Sequence, residues 1–189
     1  MPSATLRCHP ASPSAAVRCI EVDARLSAAD ELSLAFDVQG DLSRVSVPTA
    51  GAPVRADRLW EHTCFEAFVG APGSVYFELD CSPAGSWNLY RFDDYRSGMH
   101  PADAEPPVTT LRRNGHRLEL GVTLALGTLT ELQAAERLAV GLAAVIEAAD
   151  GTRSYWALTH CAAKPDFHVR AGFALGLERP AHVVRETAR

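Results

Sequence analysis

Apolar residues return at every second position through most of the chain, which is the period of half-buried strands and not of helices. Ile20, Val22, Ala24 and Leu26 alternate with Glu21, Asp23 and Arg25. Leu32, Leu34, Phe36 and Val38 alternate with Ser33 and Asp37, and Leu118, Leu120, Val122 and Leu124 with Arg117 and Glu119. Each segment therefore has a face for a core and a face for water. Only Thr128 to Arg137, with Leu129, Leu132 and Ala135 at helical spacing, predicts a helix. Asn114-Gly115 and Asp150-Gly151 have the composition of two-residue hairpin turns, in which both central residues take φ > 0. Pro48 to Arg58 and Arg96 to Pro107 are long irregular connections rich in Pro, Ala and Gly. The pattern predicts an all-β chain forming a single domain over residues 1–189. Its expected architecture is a two-sheet antiparallel β-sandwich of jelly-roll or immunoglobulin-like type with one short helix, preceded by a flexible segment over 1–15.

The stretch from Glu61 to Tyr95 can be placed in register. If Gly70 to Ser74 turns the chain, Val69, Ala67 and Phe65 fall opposite Val75, Phe77 and Leu79 on an apolar face. The other face then sets Glu66 opposite Glu78 and Cys64 opposite Asp80. The next turn, Ser82 to Ser86, pairs Cys81 with Trp87 and Leu79 with Leu89, so that Asp80 faces Asn88 and Glu78 faces Tyr90. A polar row of Glu66, Glu78 and Tyr90 results, beside Asp80 and Asn88. Opposed carboxylates repel unless a cation, a shared proton or a ligand hydroxyl lies between them. In the last hairpin, Val145 is expected opposite Trp156, Ala143 opposite Leu158 and Gly141 opposite His160, leaving a depression; either Trp156 and His160 wall it or Trp156 is simply core, the commoner fate of a strand tryptophan. The densest ionisable cluster, His160, Lys164, Asp166 and His168, sits in a segment that Pro165 makes rigid and that is placed to close over the sheet.

Composition narrows the partners. A net charge of -5 with no run of like charge gives no footprint for nucleic acid. No stretch is long and apolar enough to span a membrane, and Met1 to Ala16 lacks the apolar run of a signal peptide. The five cysteines form no CxxC pair, so reduced thiols and a cytoplasmic location are expected. The residue patterns of nucleophile-elbow hydrolases, Walker-loop NTPases, HExxH proteases and Rossmann dehydrogenases are all missing.

The runs LWEHTCFEAFVG (Leu59 to Gly70), VYFELDCSPAGSWNLYRFDDYRSGM (Val75 to Met99) and WALTHCAAKPDFH (Trp156 to His168) resemble the bacterial DOMON-like proteins related to family 9 carbohydrate-binding modules. The resemblance covers Trp60 to Glu178 and implies a β-sandwich that binds sugar or haem. On the sugar reading, Trp60 and Trp156 stack on the ligand while Glu66, Glu78 and Asn88 bond its hydroxyls, with Tyr90, His160 and Lys164 beside them. The chain is then a non-enzymatic binding domain without a cofactor. On the haem reading, an electron-transfer domain holds iron through Met99 with His160 or His168. A divalent cation between the carboxylates and a small hydrolase using Glu66 and Glu78 complete the expectations.

Overall fold

The computed structural model describes residues 3–49 and 51–180, so the single-domain reading of 1–189 and the N-terminal segment both extend beyond what is described. The chain is mostly β. Its strands are β1 (Ser3–Cys8), β2 (Val17–Leu26), β3 (Glu31–Gly40), β4 (Val54–Arg55), β5 (Cys64–Gly70), β6 (Tyr76–Cys81), β7 (Ser86–Phe92), β8 (His100–Pro101), β9 (Val108–Arg113), β10 (Arg117–Ala125), β11 (Arg137–Glu147), β12 (Arg153–Ala157) and β13 (Leu175–Glu178). The helix α1 (Thr130–Gln133) is a single turn that buries Leu132, shorter than expected because β11 already begins at Arg137.

The strands do not separate into the two antiparallel sheets of the sequence reading. They form one curled, mixed sheet in the order β4-β7-β6-β5-β11-β12-β1-β2-β3-β10-β9, with β13 added to β11 and β8 to β7. The joint is β1. Ser3 to Leu6 pair with β2, whereas Arg7 and Cys8 pair with β12, so one strand serves both arms. Within the segment expected to be flexible, Ser3 to Leu6 thus pair with β2 and Arg7 and Cys8 with β12, and Leu6 is buried in the core. The short edge pairing of β4 with β7 is parallel. Between the arms lies one continuous apolar core, with Ile20, Phe36, Leu120 and Leu124 from one arm packed against Phe65, Val69, Phe77, Leu79 and Leu89 from the other.

Three hairpins test the register. In β6–β7 the expected pairs are found, including Glu78 opposite Tyr90 and Asp80 opposite Asn88. In β5–β6 the pairing is displaced by two residues: Glu66 opposes Asp80, and Phe68 opposes Glu78. The strand runs on through Gly70, which lacks a side chain because the guanidinium of Arg170 packs where a β-carbon would lie. An even displacement keeps every side chain on its face, so Glu66 and Glu78 still share one. The β11–β12 hairpin is displaced by one, because Ala148 N–H donates to Thr152 O and encloses three residues, with Gly151 at φ 84°. Ala144 therefore opposes Trp156, and Val145 opposes Tyr155. An odd displacement exchanges faces. At the other turn Gly115 does not take a positive φ; Asn114 Oδ1 instead accepts from the backbone N–H groups of His116 and Arg117.

Candidate functional site

Every residue of β5 and β6 is buried, on both faces. Phe65, Ala67 and Val69 face the core; Cys64, Glu66 and Phe68 face the opposite way, where a period-2 pattern leads one to expect water. Loops cover that face instead. Phe173, Phe167 and His168 pack over Phe68, at ring separations of 5.7, 6.4 and 5.1 Å. Between these loops and the segment around Trp60 remains an open cleft of about 480 Å³. Glu66, Glu78, Phe92, Val145, Arg153 and Tyr155 line it from the strands of its floor; its walls are lined by Trp60 and Glu61 from one connecting segment and by Arg96, Met99 and Pro165 to His168 from others.

A clamp fixes the second wall. Asp166 accepts from Tyr95 Oη at 2.5 Å, from Arg96 Nη2 at 3.0 Å and from the backbone N–H of His168 at 3.1 Å. Arg96 sits at φ 49°, a left-handed conformation that costs a non-glycine residue about 1 kcal/mol or more. The distortion aims its guanidinium at Asp166 and its N–H at Tyr76 Oη, 3.2 Å away. That N–H can only donate, so the Tyr76 hydroxyl accepts it and offers its own proton to His168 Nδ1 at 2.9 Å. The His168 proton is thereby assigned to Nε2, which faces Glu78 at 3.9 Å.

Burial sets the electrostatics. Glu66 and Glu78 expose 2% and 4% of their surface. Desolvation raises the Glu66 carboxyl well above its usual range, the charge of Glu78 adds to this, and Arg96 partly offsets both. Desolvation lifts Glu78 to about 8, again moderated by Arg96. It pushes His168 down to about 4, helped by Arg96 and opposed by Asp166. The cleft floor thus holds carboxyls that favour the protonated form near neutrality, able to donate as well as accept a hydrogen bond.

Of the expected site residues, the structure gathers Trp60, Glu66 and Glu78 in the cleft. Asn88 and Tyr90 lie outside it: Asn88 Nδ2 donates to Asp57 Oδ1 at 2.9 Å, and Tyr90 Oη donates to the same oxygen at 2.8 Å. Both therefore anchor the loop that carries Trp60, whose ring meets that of Tyr90 edge-on at 5.9 Å. Trp156 is core, its Nε1 donating to Ser154 Oγ at 3.0 Å, as the displaced hairpin requires. His160 donates through Nε2 to Arg7 O at 2.7 Å and stacks edge-on with His9, away from the cleft. Lys164 is exposed and does not line it. For the haem alternative, Met99 and His168 share the cleft while His160 does not. His168 has its Nδ1 held by Tyr76, its Nε2 3.9 Å from Glu78 and its ring against Phe68 and Phe92, while Met99 is exposed and lacks the apolar surround of an axial ligand. These residues do not fit an axial pair.

Sequence reasoning assigned no ligand role to Arg96, Arg153, Tyr155 or Phe167. Tyr155 was within reach: counting the Asp150-Gly151 turn as three residues turns Tyr155, not Trp156, towards the ligand face. Arg96 carries no sequence signal, because a residue in a polar loop declares neither its φ nor its partner.

No helix among the described residues is long and apolar enough to cross a membrane. No family model matches the chain, and no curated protein matches it. Solved structures that share its fold include the following two. A proposed carbohydrate-binding protein from Bacteroides uniformis ATCC 8492 superposes with a TM-score of 0.72 at 16% identity, over 94% of this chain and 86% of that one. A family 9 carbohydrate-binding module from Caldicellulosiruptor kristjanssonii, in complex with glucose, gives a TM-score of 0.53 at 7% identity over 93% and 83%. The chain therefore has a carbohydrate-binding-module-like β fold.

Proposed function

We propose that the chain is a single ligand-binding domain whose cleft takes a carbohydrate or a similar polyhydroxylated molecule. The observation that carries this reading is the pairing of two buried carboxyls, Glu66 and Glu78, with the aromatic faces of Trp60, Tyr155 and Phe167 around one open cleft. A sugar ring has an apolar face that stacks on such side chains and an equatorial rim of hydroxyls. Carboxyls, Arg96 and Arg153 suit that rim, while a wholly apolar ligand would leave them unsatisfied. Both structural neighbours are described as carbohydrate-binding, one of them with glucose, which supports the ligand class. The carboxyls rise together from adjacent strands of the floor instead of flanking the cleft from opposite walls. That arrangement suits holding a ring better than cleaving a bond across it. We infer binding without catalysis, in a fold of the sandwich class.

Trp60 is half-buried at the rim and reports occupancy. Titration with glucose and a panel of mono- and oligosaccharides is expected to change its fluorescence at micromolar to millimolar concentrations, and Trp60→Ala should abolish both signal and binding. Binding by none of the panel, or undiminished calorimetric binding to Trp60→Ala, would overturn the proposal.

A further inference from the structure

Beneath the cleft, Cys64, Glu66 and Asp80 converge. Cys64 and Glu66 stand two apart on β5 and so share a face, and Asp80 lies directly opposite Glu66 on β6. One donor atom from each, a sulfur and two carboxylate oxygens, lies within 4.8 Å of the others. All three residues are buried, Cys64 and Asp80 completely. Among the described residues, neither oxygen of Asp80 has a hydrogen-bond partner, nor has Oε1 of Glu66. The thiol of Cys64 reaches only the carbonyl of Phe65, at 3.9 Å. Asn88, opposite Asp80 on β7, spends its amide on the loop at Ala56 and Asp57 instead of on Asp80. Fully buried carboxyl oxygens without partners are rare in native proteins, because each forfeits its hydration with nothing in return. Here three such atoms belong to the two carboxyls of one cluster, on strands buried along their whole length.

We propose that Cys64, Glu66 and Asp80 form a divalent-cation site beneath the sugar subsite, with Glu66 shared between the two. One sulfur and two oxygens suit a borderline-soft ion of the zinc class; magnesium and calcium take oxygen alone. Binding detaches the proton of the Cys64 thiol, and any proton held by the carboxyls, to solvent, and the ion offsets two of the three negative charges formed. Glu66 also lines the cleft, which gives the ion its way in.

The 189-residue chain, stripped with a chelator, is titrated with Zn²⁺ and separately with Co²⁺ in the absence of sugar. One equivalent is expected to bind, with release of protons measurable in buffers of different ionisation enthalpy. Co²⁺ should give the near-ultraviolet charge-transfer band of a thiolate ligand. Cys64→Ser should remove the band, and Asp80→Asn should weaken Zn²⁺ by more than about tenfold, the least that losing even an outer-shell partner of a metal typically costs. The wild-type spectrum and proton count require no variant to fold. Failure to bind either ion would mean that shared protons satisfy the cluster and would overturn the proposal. So would binding that survives both substitutions, since the ion would then sit elsewhere. Neither result bears on sugar binding, which is measured without metal.

Discussion

Glu66 illustrates how a side chain can be poorly placed for stability and well placed for function. It is buried, one of its oxygens lacks a partner, and its neighbour Glu78 is also acidic. Glu66→Gln keeps the shape and replaces a carboxyl that burial already holds protonated near neutrality with a permanently neutral amide, so the metal-free variant should melt no lower than the parent. Polar ligands should bind more weakly by about 0.5–1.5 kcal/mol, the usual loss of a neutral hydrogen bond, because the amide cannot reproduce the O–H donor of the carboxyl. Paired melting and calorimetry check both halves. His168 makes a pH-dependent contribution. It faces the Tyr76 hydroxyl, the Glu78 carboxyl, Arg96 and Asp166, and desolvation lowers it from 6.5 to about 4. The unfolded chain then takes up the imidazole proton first as pH falls. The stability contributed by neutral His168 is therefore complete above about 6.5 and is lost through the window down to about 4, by at most about 3 kcal/mol. Denaturant unfolding of parent and His168→Asn across that window should converge at the acid end if this holds.

Strands and loops were legible to different degrees. The alternation in β2, β3 and β10 fixed their buried faces directly, and the Ser82 to Ser86 turn gave the β6–β7 register without error. Two other turns defeated the count. Gly70 looks like the start of a loop but belongs to the strand, for its missing side chain makes room for Arg170, which lies far along the chain. A three-residue loop at Asp150-Gly151 has the same composition as a two-residue one, yet it moves Trp156 from ligand face to core. The floor residues Glu66 and Glu78 could be found because they lie on strands of period 2. The walls could not, since they depend on contacts between distant loops. The clamp of Asp166 on Tyr95 and Arg96 is the clearest of these. Asp166→Ala should free the Pro165 to His168 segment, with faster amide exchange at Phe167 to Val169 and weaker ligand binding. The global melting temperature should change little, as the clamp lies at the surface. Unaltered exchange there would show that the loop is held by Phe68 and Phe173 alone.

The curled sheet depends on β1, which bonds to β2 at one end and β12 at the other and so ties the two arms around one core. Leu6 is its buried anchor, at 2% exposure. Leu6→Ala should cost about 2–4 kcal/mol by leaving a cavity where the arms meet, read as a lower denaturant midpoint with an unchanged slope. A polar sheet face covered by loops, open only at one cleft, makes the same molecule both stable on its core side and receptive on the other. The most direct test is amide chemical-shift mapping of the full chain during titration with glucose and the oligosaccharide that binds most tightly. The expected result is saturable shifts gathered at Trp60, Glu66, Glu78, Arg96, Tyr155 and Phe167. Shifts confined to another surface, or none at saturating sugar, would contradict the assignment of this cleft as a carbohydrate site.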